Sequence, residues 1–177
     1  MLTLANRLTI LRILMTPVIT IFLLYRQTGA GLALFVLAGI TDALDGLVAR
    51  TQKQKTTLGM VLDPVADKVL LTTTVVTLTI LRELPRWFTV IVVSRDVLLI
   101  GGSIILYMFL GKIGTPPSWI GKATTVLQMA TVLTAMLDNF FPSLGTAVLP
   151  LAVITLSFTV ASGLDYVYRG ARLLNDQ

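Results

Sequence analysis

The chain has 177 residues, 55% of them hydrophobic and 13% charged, with a net charge of +5 and neither cysteine nor histidine. That apolar share excludes an ordinary soluble domain, and the missing residue types exclude disulfides, thiol nucleophiles, imidazole bases and the usual zinc sets, so any metal must sit on oxygen. The basic residues stand at segment ends and not in a stripe with aromatics, which argues for membrane surface and anionic ligands and against nucleic acid.

A helix needs about 20 apolar residues to cross the hydrocarbon layer, and six stretches approach that length, so the expected fold is an all-α integral membrane protein with six transmembrane helices. The first runs over roughly 8–25 and carries Arg12; no small-residue cleavage pattern follows it, so it reads as a retained helix and not a signal peptide. The second, roughly 31–49, ends in Asp42 and Asp45, and the third, roughly 58–81, begins with Asp63 and Asp67. The fourth, roughly 87–110, holds Ser94-Arg95-Asp96 within an apolar run. The fifth, roughly 123–141, follows Lys122, and the sixth spans roughly 146–168. Gln27-Thr28-Gly29, Leu84-Pro85, Thr115-Pro116-Pro117 and Pro142-Ser143 punctuate these segments. No linker of different composition divides the chain, so residues 1–177 read as a single domain.

Lysine and arginine set the orientation. Arg7, Arg12, Arg50, Lys53, Lys55, Lys112, Lys122, Arg169 and Arg172 fall on one side of the six segments, against Arg26, Arg82 and Arg86 on the other. Both termini and the aspartates are therefore expected on the cytoplasmic side. The halves share no motif of the kind an inverted-repeat transporter carries.

Asp42 and Asp45 are three residues apart and Asp63 and Asp67 four apart, spacings that place each pair on one helical face. If the intervening loop simply reverses the chain, the two faces meet and four carboxylates converge. Unpaired negative charges in a partly dry site are costly. Hard divalent cations, Mg²⁺, Mn²⁺ or Ca²⁺, resolve that cost, and four carboxylates suit a pair of ions. Gly46, Ala49 and Gly59 leave room for a close backbone or a flat ligand, and Arg50 adds a forked cation beside the acids. Metal with arginine beside open space points to a diphosphate. Capping or snorkelling explains one such aspartate as well as function does; it explains four on matching faces poorly. A small intramembrane cation transporter is the alternative from another class, although a cation path has no use for an arginine beside its acids.

The run Asp42-x2-Asp45-Gly46-x2-Ala49-Arg50-x8-Gly59-x3-Asp63-x3-Asp67 resembles the complete signature of the CDP-alcohol phosphatidyltransferases, and Asn6-x2-Thr9-x2-Arg12 resembles that family's amino-terminal segment. The resemblance implies a homodimer of six-helix chains with a polar cavity on the cytoplasmic side, open toward the bilayer. It implies that Asp42, Asp45, Asp63 and Asp67 bind two ions, Mg²⁺ or Mn²⁺, and that Asp67 is also the general base. It further implies that Asn6, Thr9, Arg12, Gly46, Ala49, Arg50 and Gly59 hold the CDP group of CDP-diacylglycerol. The reaction implied is transfer of a phosphatidyl group to a glycerol-containing acceptor with release of CMP. A bacterial inner membrane is the expected location, since no transit-like leader is seen.

Arg95 and Lys122 are the acceptor-site candidates. Adjacent residues on a helix point in different directions, which weighs against Arg95 and Asp96 merely neutralising one another. By the resemblance, members that make phosphatidylglycerophosphate carry Arg-Glu at the first place, an arginine eight residues on and a second basic residue two after the lysine, where this chain has Asp96, Ser103 and Thr124. A phosphate monoester such as glycerol 3-phosphate needs about two charges neutralised, a phosphodiester such as phosphatidylglycerol only one. The run "SRDVLLI" and Lys122-x2-Thr125-x2-Gln128 are similar to the family's CDP-diacylglycerol-using cardiolipin synthases. Phosphatidylglycerol is the preferred acceptor, with glycerol 3-phosphate the runner-up.

Overall fold

The computed structural model describes residues 4–51, 57–110 and 118–175, with side chains for 9–42, 65–104, 106, 108 and 118–172. All regular structure among them is helical: α1 (Leu4–Leu24), α2 (Thr28–Thr51), α3 (Thr57–Ile80), α4 (Arg86–Leu110), α5 (Trp119–Asp138), a 3-10 turn (Pro142–Leu144) and α6 (Gly145–Asn175). Each matches one of the six apolar stretches, and the differences have local causes. Helix α5 begins at Trp119 because Ser118, following two prolines, caps it: its Oγ accepts the Gly121 N–H at 3.0 Å. Helix α6 runs past the apolar stretch to Asn175, and in this polar extension Arg169 Nε donates to Asp165 at 2.9 Å, four residues back.

Two helices end on arginine in the left-handed region, Arg26 at φ 61° and Arg82 at φ 65°. In each case two bonds close the last turn. Arg26 N–H donates to Leu23 O and Gln27 N–H to Phe22 O; Arg82 N–H donates to Thr79 O and Glu83 N–H to Leu78 O. This is the paired closure in which glycine is usual. Arg26 and Arg82, expected as charges on the non-cytoplasmic side, thus also end α1 and α3.

The chain forms two compact units, Met1–Glu83 and Leu84–Gln177. In the first, α1 packs against both α2 and α3. Gly31 brings α2 close to α1: a methyl there would lie 2.7 Å from Leu23 Cδ2. In the second, α6 packs against α4 and α5.

Beside an apolar core that includes Ile19, Leu23, Phe35, Phe88 and Met136, many large apolar residues face outward and many polar ones are buried. Leu11, Leu14, Ile21, Val90, Val97, Met108, Val126 and Leu164 point outward, whereas Thr9, Arg12, Arg95, Asp96, Thr124, Gln128, Thr131, Thr155, Thr159 and Ser162 are buried. Lipid accepts the first set without cost, and buried polar groups find partners on neighbouring helices. Between α5 and α6 they form a ladder: Thr124 Oγ1 donates to Phe158 O at 3.1 Å, Gln128 Nε2 to Thr159 Oγ1 at 3.4 Å, and the Thr131 and Thr155 hydroxyls meet at 2.8 Å. Thr124, Gln128 and Thr131 recur at four and three residues, as do Thr155, Thr159 and Ser162, so each set lines one helical stripe.

Three segments among the described residues are long and apolar enough to cross a membrane, Arg86–Ile104, Trp119–Asp138 and Pro142–Arg172, beside shorter apolar helices Thr9–Leu24 and Thr28–Asp42. The chain is a helical membrane protein.

Candidate active site

Arg12 is the centre of the first unit. It stands midway along α1, its side chain fully buried, and Nη1 lies 2.7 Å from Asp42 Oδ1 while also contacting Asp67 Oδ1. Since α1 packs on both α2 and α3, one guanidinium reaches an acid from each. The two carboxylates are only partly buried, 37% and 46% exposed, so they also face open space. Thr9 and Thr16 lie on the same face of α1 and are buried; Thr16 Oγ1 donates back to Arg12 O at 3.0 Å.

The expected convergence of α2 and α3 acids therefore holds for Asp42 and Asp67, and the structure adds the cation between them. Asn6, Asp45, Gly46, Ala49, Arg50, Gly59 and Asp63 stand in helical backbone, but their side chains lie outside the described residues. Among the described residues no group of three or more potential metal ligands occurs. The pair that is described fits a hard cation by the chemistry of its donors, carboxylate oxygens brought together from two helices.

In the second unit Arg95 is buried, and its two terminal nitrogens are both engaged. Nη1 donates to Asp96 Oδ1 at 2.9 Å and Nη2 to Ser162 Oγ at 2.9 Å. The direct pairing with Asp96 departs from the expectation for adjacent helical residues; the long arginine side chain folds back to reach its neighbour. Arg95 Nε is buried without a hydrogen-bond partner. The guanidinium lies beside Gly121 at the start of α5, where an added methyl would stand in ordinary contact with Nη2 at 3.6 Å. The next residue, Lys122, is exposed. The hydroxyls of Ser103 and Thr124 are used inside the bundle. Ser103 Oγ meets the Tyr166 hydroxyl at 2.9 Å and donates to Leu99 O at 2.7 Å, and Thr124 bonds Ile120 O and Phe158 O.

Farther along the α4–α6 seam an apolar cavity of about 490 Å³ lies around Gly101, Gly102, Leu106, Tyr166 and Gly170. Sequence reasoning did not find this space or Ser162. The recurrence of small hydroxyl residues on α6 was the available signal for the latter.

Helical membrane architecture with carboxylates from two helices gathered on a buried arginine defines a protein able to handle cations or charged head groups at a membrane. The family profile of the CDP-alcohol phosphatidyltransferases matches residues 2–160, and the chain belongs to that family: it is a phosphatidyltransferase, of a family that generally uses divalent metal ions. It is similar to the probable phosphatidylglycerophosphate synthase of Mycobacterium tuberculosis, 35% identical over 175 residues that cover 96% of this chain and 82% of the relative. It is also similar to the CMP-forming cardiolipin synthase of Rattus norvegicus, 31% identical over 189 residues covering 96% and 62%. A probable CMP-forming cardiolipin synthase of Drosophila melanogaster is 35% identical over 184 residues covering 93% and 56%. The cation-transporter alternative finds no support in these matches.

Proposed function

We infer that this chain transfers a phosphatidyl group from CDP-diacylglycerol to the hydroxyl of phosphatidylglycerol, forming cardiolipin and releasing CMP. The observation that carries the choice of acceptor is the charge at Arg95. Asp96 neutralises it directly, and Ser103 and Thr124 add no charge, their hydroxyls being bonded within the bundle. With Lys122 as the remaining candidate cation, the site suits a phosphodiester better than a monoester. Glycerol 3-phosphate is the second reading, favoured by the similarity to the mycobacterial phosphatidylglycerophosphate synthase.

In this reading Asp67 takes the acceptor hydroxyl proton, the hydroxyl oxygen forms its bond to the phosphorus that carries diacylglycerol, and the bond from that phosphorus to the CMP oxygen breaks. Asp42, Asp45, Asp63 and Asp67 would hold two divalent ions, Mg²⁺ or Mn²⁺, which neutralise the diphosphate and stabilise departing CMP when bound. Asn6, Thr9, Gly46, Ala49, Arg50 and Gly59 would position the CDP group. Arg95 and Lys122 would orient the acceptor. The family match spans parts of both compact units, which supports reading residues 1–177 as one catalytic domain. We place the protein in a bacterial inner membrane as a homodimer of six-span chains, termini and polar cavity on the cytoplasmic side, as the lysine and arginine distribution favours.

The test is to supply purified protein in detergent with CDP-diacylglycerol and Mg²⁺, offering phosphatidylglycerol or glycerol 3-phosphate, and to follow CMP and lipid product. Cardiolipin from the first mixture alone is expected. Product from glycerol 3-phosphate alone would transfer the assignment to phosphatidylglycerophosphate synthesis.

A further inference from the structure

We propose that Arg12 is an internal counter-ion that holds Asp42 and Asp67 together before metal arrives and competes with metal for them, and so acts as a positioning residue and not as a nucleotide contact. This rests on the metal-site reading given above for the same aspartates.

Two observations carry it, and a consequence follows from them. The Arg12 side chain has no exposure at all, whereas both acids are partly exposed, so the cation lies behind the carboxylates and an incoming ion meets the carboxylates first. Both contacts use Oδ1 and the same nitrogen, Nη1, so one side chain closes α2 and α3 onto α1. To reach a nucleotide phosphate, the guanidinium would have to leave the two acids and its buried position.

Without a cation, two carboxylates gathered in a partly dry site repel. Arg12 relieves this and keeps their spacing. A divalent ion on the same oxygens then finds part of their charge already used and a positive group behind them, so its binding is weakened relative to a site lacking Arg12. The price of a preassembled site is a lower affinity for the ion, which is no handicap where divalent cations are abundant.

The experiment is a titration of detergent-purified protein with Mn²⁺ alone, free ion followed by electron paramagnetic resonance, beside thermal unfolding in chelator and in saturating Mn²⁺. Arg12→Gln, purified with Mn²⁺ present, is expected to bind Mn²⁺ about tenfold more tightly than wild type, the loss of roughly one charge-assisted interaction. Its melting temperature should fall in chelator and return most of the way with Mn²⁺. Arg12→Lys, which keeps a charge but lacks the fork, should bind with intermediate affinity, and it decides the matter if Arg12→Gln does not fold. Equal or weaker Mn²⁺ binding by the variants, with melting lowered alike in chelator and in Mn²⁺, would overturn the proposal and leave the metal site standing. No Mn²⁺ binding by wild type or variant would instead remove the metal-site reading, and the counter-ion role with it.

Discussion

Asp67 carries two assignments, ligand and base, and makes one described contact that neither requires. Replacing it with asparagine keeps the size but removes the charge and the proton acceptor. Asp67→Asn is expected to lower turnover by about 10²–10⁴-fold while CDP-diacylglycerol still binds; near-normal turnover in a CMP-release assay would remove the base assignment. Arg95 is held by Asp96 and Ser162 at 2.9 Å each. Ser162→Ala leaves a buried guanidinium nitrogen without its partner, a loss of about 1–3 kcal/mol. If Arg95 orients the acceptor, the acceptor's KM should rise more than the donor's in steady-state kinetics; equal changes would make Arg95 a packing residue. The acids were legible because charge inside an apolar segment has few explanations. The role of Arg12 was not, since a motif gives the order of residues along a helix and not which neighbour a long side chain will meet. Ser162 was less hidden: Thr155, Thr159 and Ser162 recur at helical spacing, but spacing alone does not say that the last of them meets Arg95.

At the scale of the helix, glycines separate by what faces them. A methyl on Gly102 would lie 2.6 Å from Tyr166 Cε1, and that ring is tied by its hydroxyl to Ser103, so it cannot swing away without breaking the bond; Gly101 has open space. Gly102→Ala should cost about 1–3 kcal/mol from overpacking, whereas Gly101→Ala should gain about 0.5–1 kcal/mol from helix propensity. Thermal unfolding of the pair checks this, and equal effects would contradict the packing described. Arg82 closes α3 with φ at 65°, so Arg82→Gly should stabilise by about 1 kcal/mol. Six helices and their order could be read from apolar length alone. Their ends could not, because Ser118 caps by a local hydrogen bond and the tail of α6 is held by Asp165 and Arg169, neither of which raises hydropathy.

For the whole molecule, the orientation inferred from basic residues can be checked directly, since the chain has no cysteine. Single cysteines at Gln27 and at Arg172 should label oppositely: the first by a membrane-impermeant maleimide on intact cells, the second only after permeabilisation. The reverse would invert the topology and move the aspartates to the other side. Charge asymmetry across a bilayer is a property of composition, so this level is where sequence alone speaks most directly. The α4–α6 cavity was not legible, since it depends on how two helices pack.

The outward-facing apolar residues and the buried polar ladder have a thermodynamic consequence. Ladder pairs such as Thr131 with Thr155 lie between helices, while Leu11, Val97 and Leu164 already face the surroundings. Separating the helices within a bilayer or micelle would transfer little apolar surface into water. The heat-capacity increment of unfolding, which in soluble domains scales with apolar area newly hydrated at about 0.45 cal/K/mol/Å², should therefore be small. The stability curve should be nearly straight with temperature, without the low-temperature fall that hydrophobic cores produce.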